Sequence, residues 1–186
     1  MRRLLACLLA ATPMMAAATS VSICFNYGCL SEGAVELDAT LLAGIQASLA
    51  EAAGPADERA RLAAAVGRLY RAAGRSLPIH ADRAGDYLDE GVYGKMDCID
   101  HATSTTRLLQ VLEDEGMLRF HRVLPQQRRT TFLIFQHFSA AVEERGGAGD
   151  GPGARYVIDS WFVEHGEAAV VLPLEPWLDG EGPNVQ

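Results

Sequence analysis

A thiol, an imidazole and a carboxylate stand at Cys98, His137 and Asp159, separated by 39 and then 22 residues. Together they could perform nucleophilic acyl transfer. The attacking species is the thiolate, and a free thiol with a pKa of about 8.5 is little ionised at neutral pH. A nucleophilic cysteine therefore needs a base within reach, and the base needs a partner that fixes its ring and tautomer. Cys98 follows Gly94-Lys95-Met96-Asp97, where an irregular stretch gives way to a helical pattern. Its sulfur would lie at the positive end of a helix dipole, which favours the thiolate. Asp97 and Asp100 oppose that effect, because nearby carboxylates raise a thiol pKa. An adjacent imidazolium is then required, and His137 is the candidate. His101 is the rival base, but it shares the helix of Cys98 and has no evident orienting carboxylate on a neighbouring strand. His80, His121 and His165 read as surface residues.

The elements that must position these groups follow from hydrophobic period. Apolar residues at helical spacing run from Val35 to Ala53, and Gly54-Pro55 interrupts them. A second amphipathic helix is expected over Asp57 to Ala73, with Leu62, Val66, Leu69 and Tyr70 on one face, the two forming an αα-hairpin. Gly74 to Gly94 has no period and reads as a loop carrying His80, Asp82, Arg83 and Asp86 beside the thiol. The third helix, from Asp97 to Glu115, has Asp97 as N-cap, Asp100 completing a capping box and Gly116 as terminator. Strand-like runs follow at Leu118 to Leu124, Thr131 to Glu144 and Arg155 to Phe162, with a Gly/Pro-rich loop from Gly146 to Gly153 and a short edge run at Ala168 to Leu172.

If the second and third strands pair around that loop, His137 would oppose Asp159, Ala140 would oppose Tyr156 and Val142 would oppose Ala154. Directly opposed side chains share a sheet face with Cβ atoms about 5 Å apart. Alternation then places Leu133, Phe135, Val157 and Trp161 on the same face, packing beneath the Cys98 helix. A one-residue slip would send one member of the triad to the wrong face.

Composition restricts the setting. Arg2-Arg3, an apolar run from Leu4 and the small residues Ala16-Ala17-Ala18 read as a cleaved secretory signal covering residues 1–18. The run is short and broken by Pro13, which argues against a membrane-spanning anchor, and Cys7 comes too early for a lipoprotein box. A single domain is expected over 19–178, with a frayed tail over 179–186. The chain carries a formal charge of −8, and losing two arginines with the signal moves it to −10. So acidic a protein is a poor partner for nucleic acid or an anionic membrane surface. Of the four cysteines, three remain after Cys7 is removed. Cys24 and Cys29 flank Phe-Asn-Tyr-Gly and suit a small disulfide loop; a metal pair is the alternative, without further ligands at suitable spacing to complete a zinc site. Cys98 is left unpaired.

With Asp97-Cys98-Ile99-Asp100, His137 before Phe-Ser-Ala and Asp159 before Ser-Trp, the stretch from Gly91 to Phe162 resembles the transglutaminase-like branch of the papain-like cysteine hydrolases, and in particular the small periplasmic transglutaminase-like cysteine proteinases. The resemblance implies Cys98 as nucleophile, His137 as base and Asp159 as orienting residue. It implies an oxyanion hole formed partly by the Cys98 backbone N–H, with Tyr93 as the upstream side chain completing it. Some such proteins bind calcium through an acidic residue directly after the cysteine; Ile99 stands there, so no metal or other cofactor is expected.

The expectation is thus an α+β protein whose helical N-terminal half and catalytic helix pack on a small antiparallel sheet. It would be a periplasmic or secreted, not an integral membrane, cysteine hydrolase or acyl transferase acting on an amide bond of a protein or peptidoglycan peptide. The competing classes are a non-catalytic binding or scaffolding module and a thiol redox protein.

Overall fold

A computed structural model describes residues 19–146 and 152–183. The expected signal segment, the centre of the Gly/Pro-rich loop and the last three residues of the tail lie outside them. The class is α+β. A hairpin of β1 (Thr19–Phe25) and β2 (Ser31–Leu37) is followed by helices α1 (Ala39–Ala50) and α2 (Pro55–Ala73), and then by a 3-10 turn at Pro78–Ala81. Helix α3 (Cys98–Asp114) leads into strands β3 (His121–Thr131), β4 (Phe135–Glu144), β5 (Arg155–Asp159) and β6 (Val170–Pro173), and α4 (Leu174–Leu178) ends the order. The second sheet is antiparallel throughout, in the order β3-β4-β5-β6.

Val35 and Leu37, expected in a helix, are buried residues of β2. Their separation by Glu36 fits a period of two as well as it fits a helix turn, and the helix begins only where Asp38 accepts the N–H groups of Thr40 and Leu41. Helix α2 starts with Pro55 in its first turn and buries Leu62, Val66, Leu69 and Tyr70, the face its pattern marks. Helix α3 has the Asp97 cap, the reciprocal Asp100 capping box and Gly116 at φ 69°, a left-handed conformation that suits glycine. The main core runs from the β1–β2 hairpin through α1, α2 and α3 to Ala140, Val142 and Ile158 of the larger sheet.

Two sheet expectations need correction. The β4–β5 register is Ala140 against Ile158 and Val142 against Tyr156, two residues away from the expected pairing. The burial of Ala140, Val142 and Ile158 in the core specifies this register. Thr131 to Ile134 do not begin a strand. Strand β3 continues past an irregularity between Leu124 and Gln127 as far as Thr131, and the chain reverses at Phe132 and Leu133. Leu133 and Phe135 are therefore exposed rather than packed beneath α3. Val157 is buried on the opposite side from the main core, against Leu174 and Trp177 of α4.

His121 is also not a surface residue. It is fully buried, with Nδ1 2.8 Å from Glu58 Oε1. Glu58 accepts the Arg119 and Phe120 N–H groups as well, which ties the first turn of α2 to the entry of β3. The tail is tied down as far as Glu181, whose carbonyl accepts a bond from Arg129.

Candidate active site

Cys98 is the first residue of α3, is half-buried and carries the one free thiol among the described residues. Two constraints fix its approach. Gly94, at φ 90°, lies so close to Pro78 that an added Cβ would sit 2.6 Å from the Pro78 carbonyl oxygen, so only glycine fits. Met96 N–H then donates to Asp82 Oδ1 at 2.8 Å, anchoring the residue two before the thiol.

The acids flanking Cys98 are held by the disulfide loop. Cys24 and Cys29 are bonded to each other, and Asn26, Tyr27, Gly28 and Cys29 all have positive φ. Successive N–H groups in such a conformation converge into an anion-binding hollow. Here the Tyr27 and Cys29 N–H groups donate to the two oxygens of Asp100 at 2.8 and 2.7 Å, and Gly28 N–H donates to Asp97 Oδ2 at 3.0 Å. Burial pushes the Asp100 carboxyl up to about 6, with the Cys29 N–H drawing it back and the Asp97 charge adding to the rise. Glu32 lies close enough to both cysteines to form a metal-sized group, but the two sulfurs are spent on each other and Glu32 pairs with Arg107 at 3.1 Å.

His137 and Asp159 meet despite the altered register. A shift of two residues preserves the face, so the side chains approach diagonally, with Nε2 and Oδ2 2.8 Å apart. A carboxylate can only accept here, so Nε2 carries the proton and Nδ1 is the basic nitrogen. Asp159 also accepts Trp161 N–H on Oδ1 at 3.2 Å and the Trp177 indole N–H on Oδ2 at 3.3 Å. The imidazole is boxed by Trp161, Phe162 and Trp177, with ring centroids 5.0, 5.1 and 5.8 Å away.

The Phe138 backbone N–H, one residue beyond His137, and the N–H of Cys98 itself draw the thiol pKa down. Burial outweighs them and, with the charges of Asp97 and Asp159, pushes the thiol up to about 11. Among the described residues the sulfur forms no hydrogen bond to the imidazole. The charge of Asp159 reaches the sulfur, which is protonated at rest, while the imidazole is paired with that carboxylate.

Tyr93 is exposed, its ring edge-on to Phe25 at 6.1 Å, and makes no contact with the triad among the described hydrogen bonds. Tyr87, as exposed as Tyr93, is the tyrosine on which the charges of Cys98 and Asp159 act. Its ring is 4.6 Å from that of Trp161, and burial together with the charges of Cys98 and Asp159 raises its hydroxyl pKa, so it stays a donor. Neither Tyr87 nor Trp177 stands out in sequence, since each lies outside any long periodic element.

His101 does have a carboxylate, supplied by the irregular segment after the 3-10 turn rather than by a strand. Its Nε2 is 2.9 Å from Asp82 Oδ2 and its Nδ1 2.8 Å from Ser160 Oγ, and all three residues are buried. Thr105 and Tyr70 extend the network. It joins α3 one turn after Cys98 to the residue following Asp159.

Comparison with protein-family models, with curated proteins and with solved structures returned no match. Among the described residues, no helix is long and apolar enough to cross a membrane.

Proposed function

We propose that the chain is an exported cysteine hydrolase or acyl transferase of the transglutaminase-like, papain-like type, acting on an amide bond of a protein or a peptidoglycan peptide. The observation that carries this reading is the His137–Asp159 pair at 2.8 Å, one residue along the strand from the Phe138 N–H that draws the Cys98 thiol pKa down. With Nε2 engaged, Nδ1 takes the thiol proton as sulfur adds to the carbonyl carbon. The resulting oxyanion is held by the Cys98 N–H and, in place of Tyr93, by the Tyr87 hydroxyl. The imidazolium then protonates the amine, the C–N bond breaks and a Cys98 thioester remains. Water, deprotonated by the same nitrogen, hydrolyses the thioester to the acid and frees the thiol. An amine in place of water gives a transferred amide.

A raised resting thiol means that His137 works as a general base on a neutral thiol rather than within a standing ion pair. That same raised pKa favours the second reading, a binding module that retains the fold. Alkylation by a thiol-directed electrophile separates the two. The enzyme reading requires that Cys98→Ala abolish labelling and that His137→Ala slow it by about tenfold or more at neutral pH while the fold is retained. Equal labelling of the wild type and His137→Ala would leave the module. The disulfide, and an apolar N-terminal run ending near Ala18, support export into an oxidising compartment.

A further inference from the structure

The turn between β3 and β4 carries Phe132, Leu133, Ile134 and Phe135, which are 86%, 93%, 73% and 63% exposed. Four consecutive large apolar side chains at a convex tip do nothing for the core. They also conflict with the local backbone. Phe132 and Leu133 have φ of 50° and 68°, and Ile134 N–H donates to Thr131 O at 3.3 Å. A turn with two central residues at positive φ favours Asn-Gly, whereas Phe-Leu pays a conformational penalty there. The tip thus keeps apolar bulk at the expense of turn chemistry.

Its charge surroundings are as distinctive. In the β3–β4 hairpin Arg122 pairs with Glu143 and Glu144 lies at the end away from the tip, so the charges nearest the tip are Arg128 and Arg129, with no acidic residue from Gly116 to Val142. The overall balance of −8, which argues against an anionic surface, hides a basic end of this hairpin. Arg128 is exposed and forms no ion pair among the described residues, while Arg129 caps the carbonyls of Trp177 and Glu181. Thr130, Thr131 and Gln136 form a neutral polar collar between the arginines and the tip.

We infer that the β3–β4 tip is a membrane-docking element that inserts Phe132 to Phe135 into the interfacial layer of a bilayer containing anionic phospholipid. An apolar tip, a polar collar and then arginines match the order of acyl chains, interface and phosphate from the inside of a leaflet outward. A side chain as free as Leu133 lines no groove, so the convex shape favours a deformable lipid layer over a shaped protein pocket. Phe135 is two residues from His137, so docking would hold the candidate active site close to the membrane plane.

Cosedimentation of the full chain with vesicles of equimolar phosphatidylcholine and phosphatidylglycerol tests this, using the double variant Phe132→Asn, Leu133→Gly. The variant installs the pair that the turn prefers, so its thermal midpoint should be unchanged or higher, while its vesicle partitioning falls by about tenfold or more. Both proteins share one N-terminus, so the difference reports the tip. Arg128→Glu should weaken binding to the mixed vesicles more than to pure phosphatidylcholine. Equal partitioning of wild type and double variant, or no binding by the wild type, overturns the inference. So does a wild-type dimer that the double variant dissolves without change in vesicle binding, which would assign the tip to a second copy of the chain.

Discussion

Trp177 and His137 converge on one atom: the indole N–H and Nε2–H both reach Asp159 Oδ2, at 3.3 and 2.8 Å. The carboxylate paired with the imidazole is thus itself held by a side chain from the last helix.

Trp177→Phe keeps the aromatic wall and deletes only the donor. The loss of a hydrogen bond to a buried charged group should cost about 1.5–3 kcal/mol of stability. It should also slow Cys98 alkylation several-fold, because Asp159 is less firmly placed. Trp177→Ala should cost about 3–5 kcal/mol, since it also empties the space against Val157 and Leu174. Urea unfolding and alkylation rates measured on both variants check the two parts separately. If Trp177→Phe leaves both unchanged, the indole has no orienting role.

The Cys98 thiol is raised, chiefly by burial, from an ordinary value of 9.0 to about 11. The native state therefore binds this proton more tightly than the unfolded chain. Its contribution to stability is complete below about pH 9 and is lost as pH rises towards 11. Cys98→Ser should flatten part of the alkaline fall in unfolding free energy, leaving the part due to Tyr70, whose hydroxyl burial raises to about 12. Urea midpoints taken from pH 8 upward show this; parallel curves would contradict a buried, protonated sulfur.

Asp82→Ala leaves both the Met96 N–H and His101 Nε2 without their acceptor in a buried site. A cost of about 1–3 kcal/mol per orphaned group is expected. Because the Met96 link precedes the thiol, Cys98 alkylation should change more in Asp82→Ala than in a comparably destabilised core variant such as Leu49→Ala. A matching change in both would make the network purely structural.

Glu58→Ala should be among the most damaging substitutions outside the site, at about 3–5 kcal/mol, because it strands buried His121 together with two backbone N–H groups. Among molecules still folded, the Cys98 alkylation rate should match the wild type, since this pair braces α2 against β3 rather than the thiol.

What could be read in advance depended on distance along the chain. The start and end of α3 are local chemistry, with Asp97, Asp100 and Gly116 each within a turn of what they cap. The His137–Asp159 meeting was legible because the period of a strand is two, so even the misplaced register kept both on one face. Val35 and Leu37 satisfied helix and strand spacing alike, and Phe132 to Phe135 looked like strand because apolar content stood in for burial. Trp177 sits on a helix of five residues, too short to show a period. The contacts of His101 with Asp82 and Ser160 span 19 and 59 positions, and no local pattern records them.

The left-handed disulfide loop has a practical corollary. Thiol enzymes are usually stored in reductant so that the nucleophile stays unoxidised. In this protein the same reagent would open the Cys24–Cys29 ring, whose three amides steady the acids on either side of Cys98. Preservative and poison would be one compound. An assay of the proposed activity must therefore keep two sulfurs joined and spare the third.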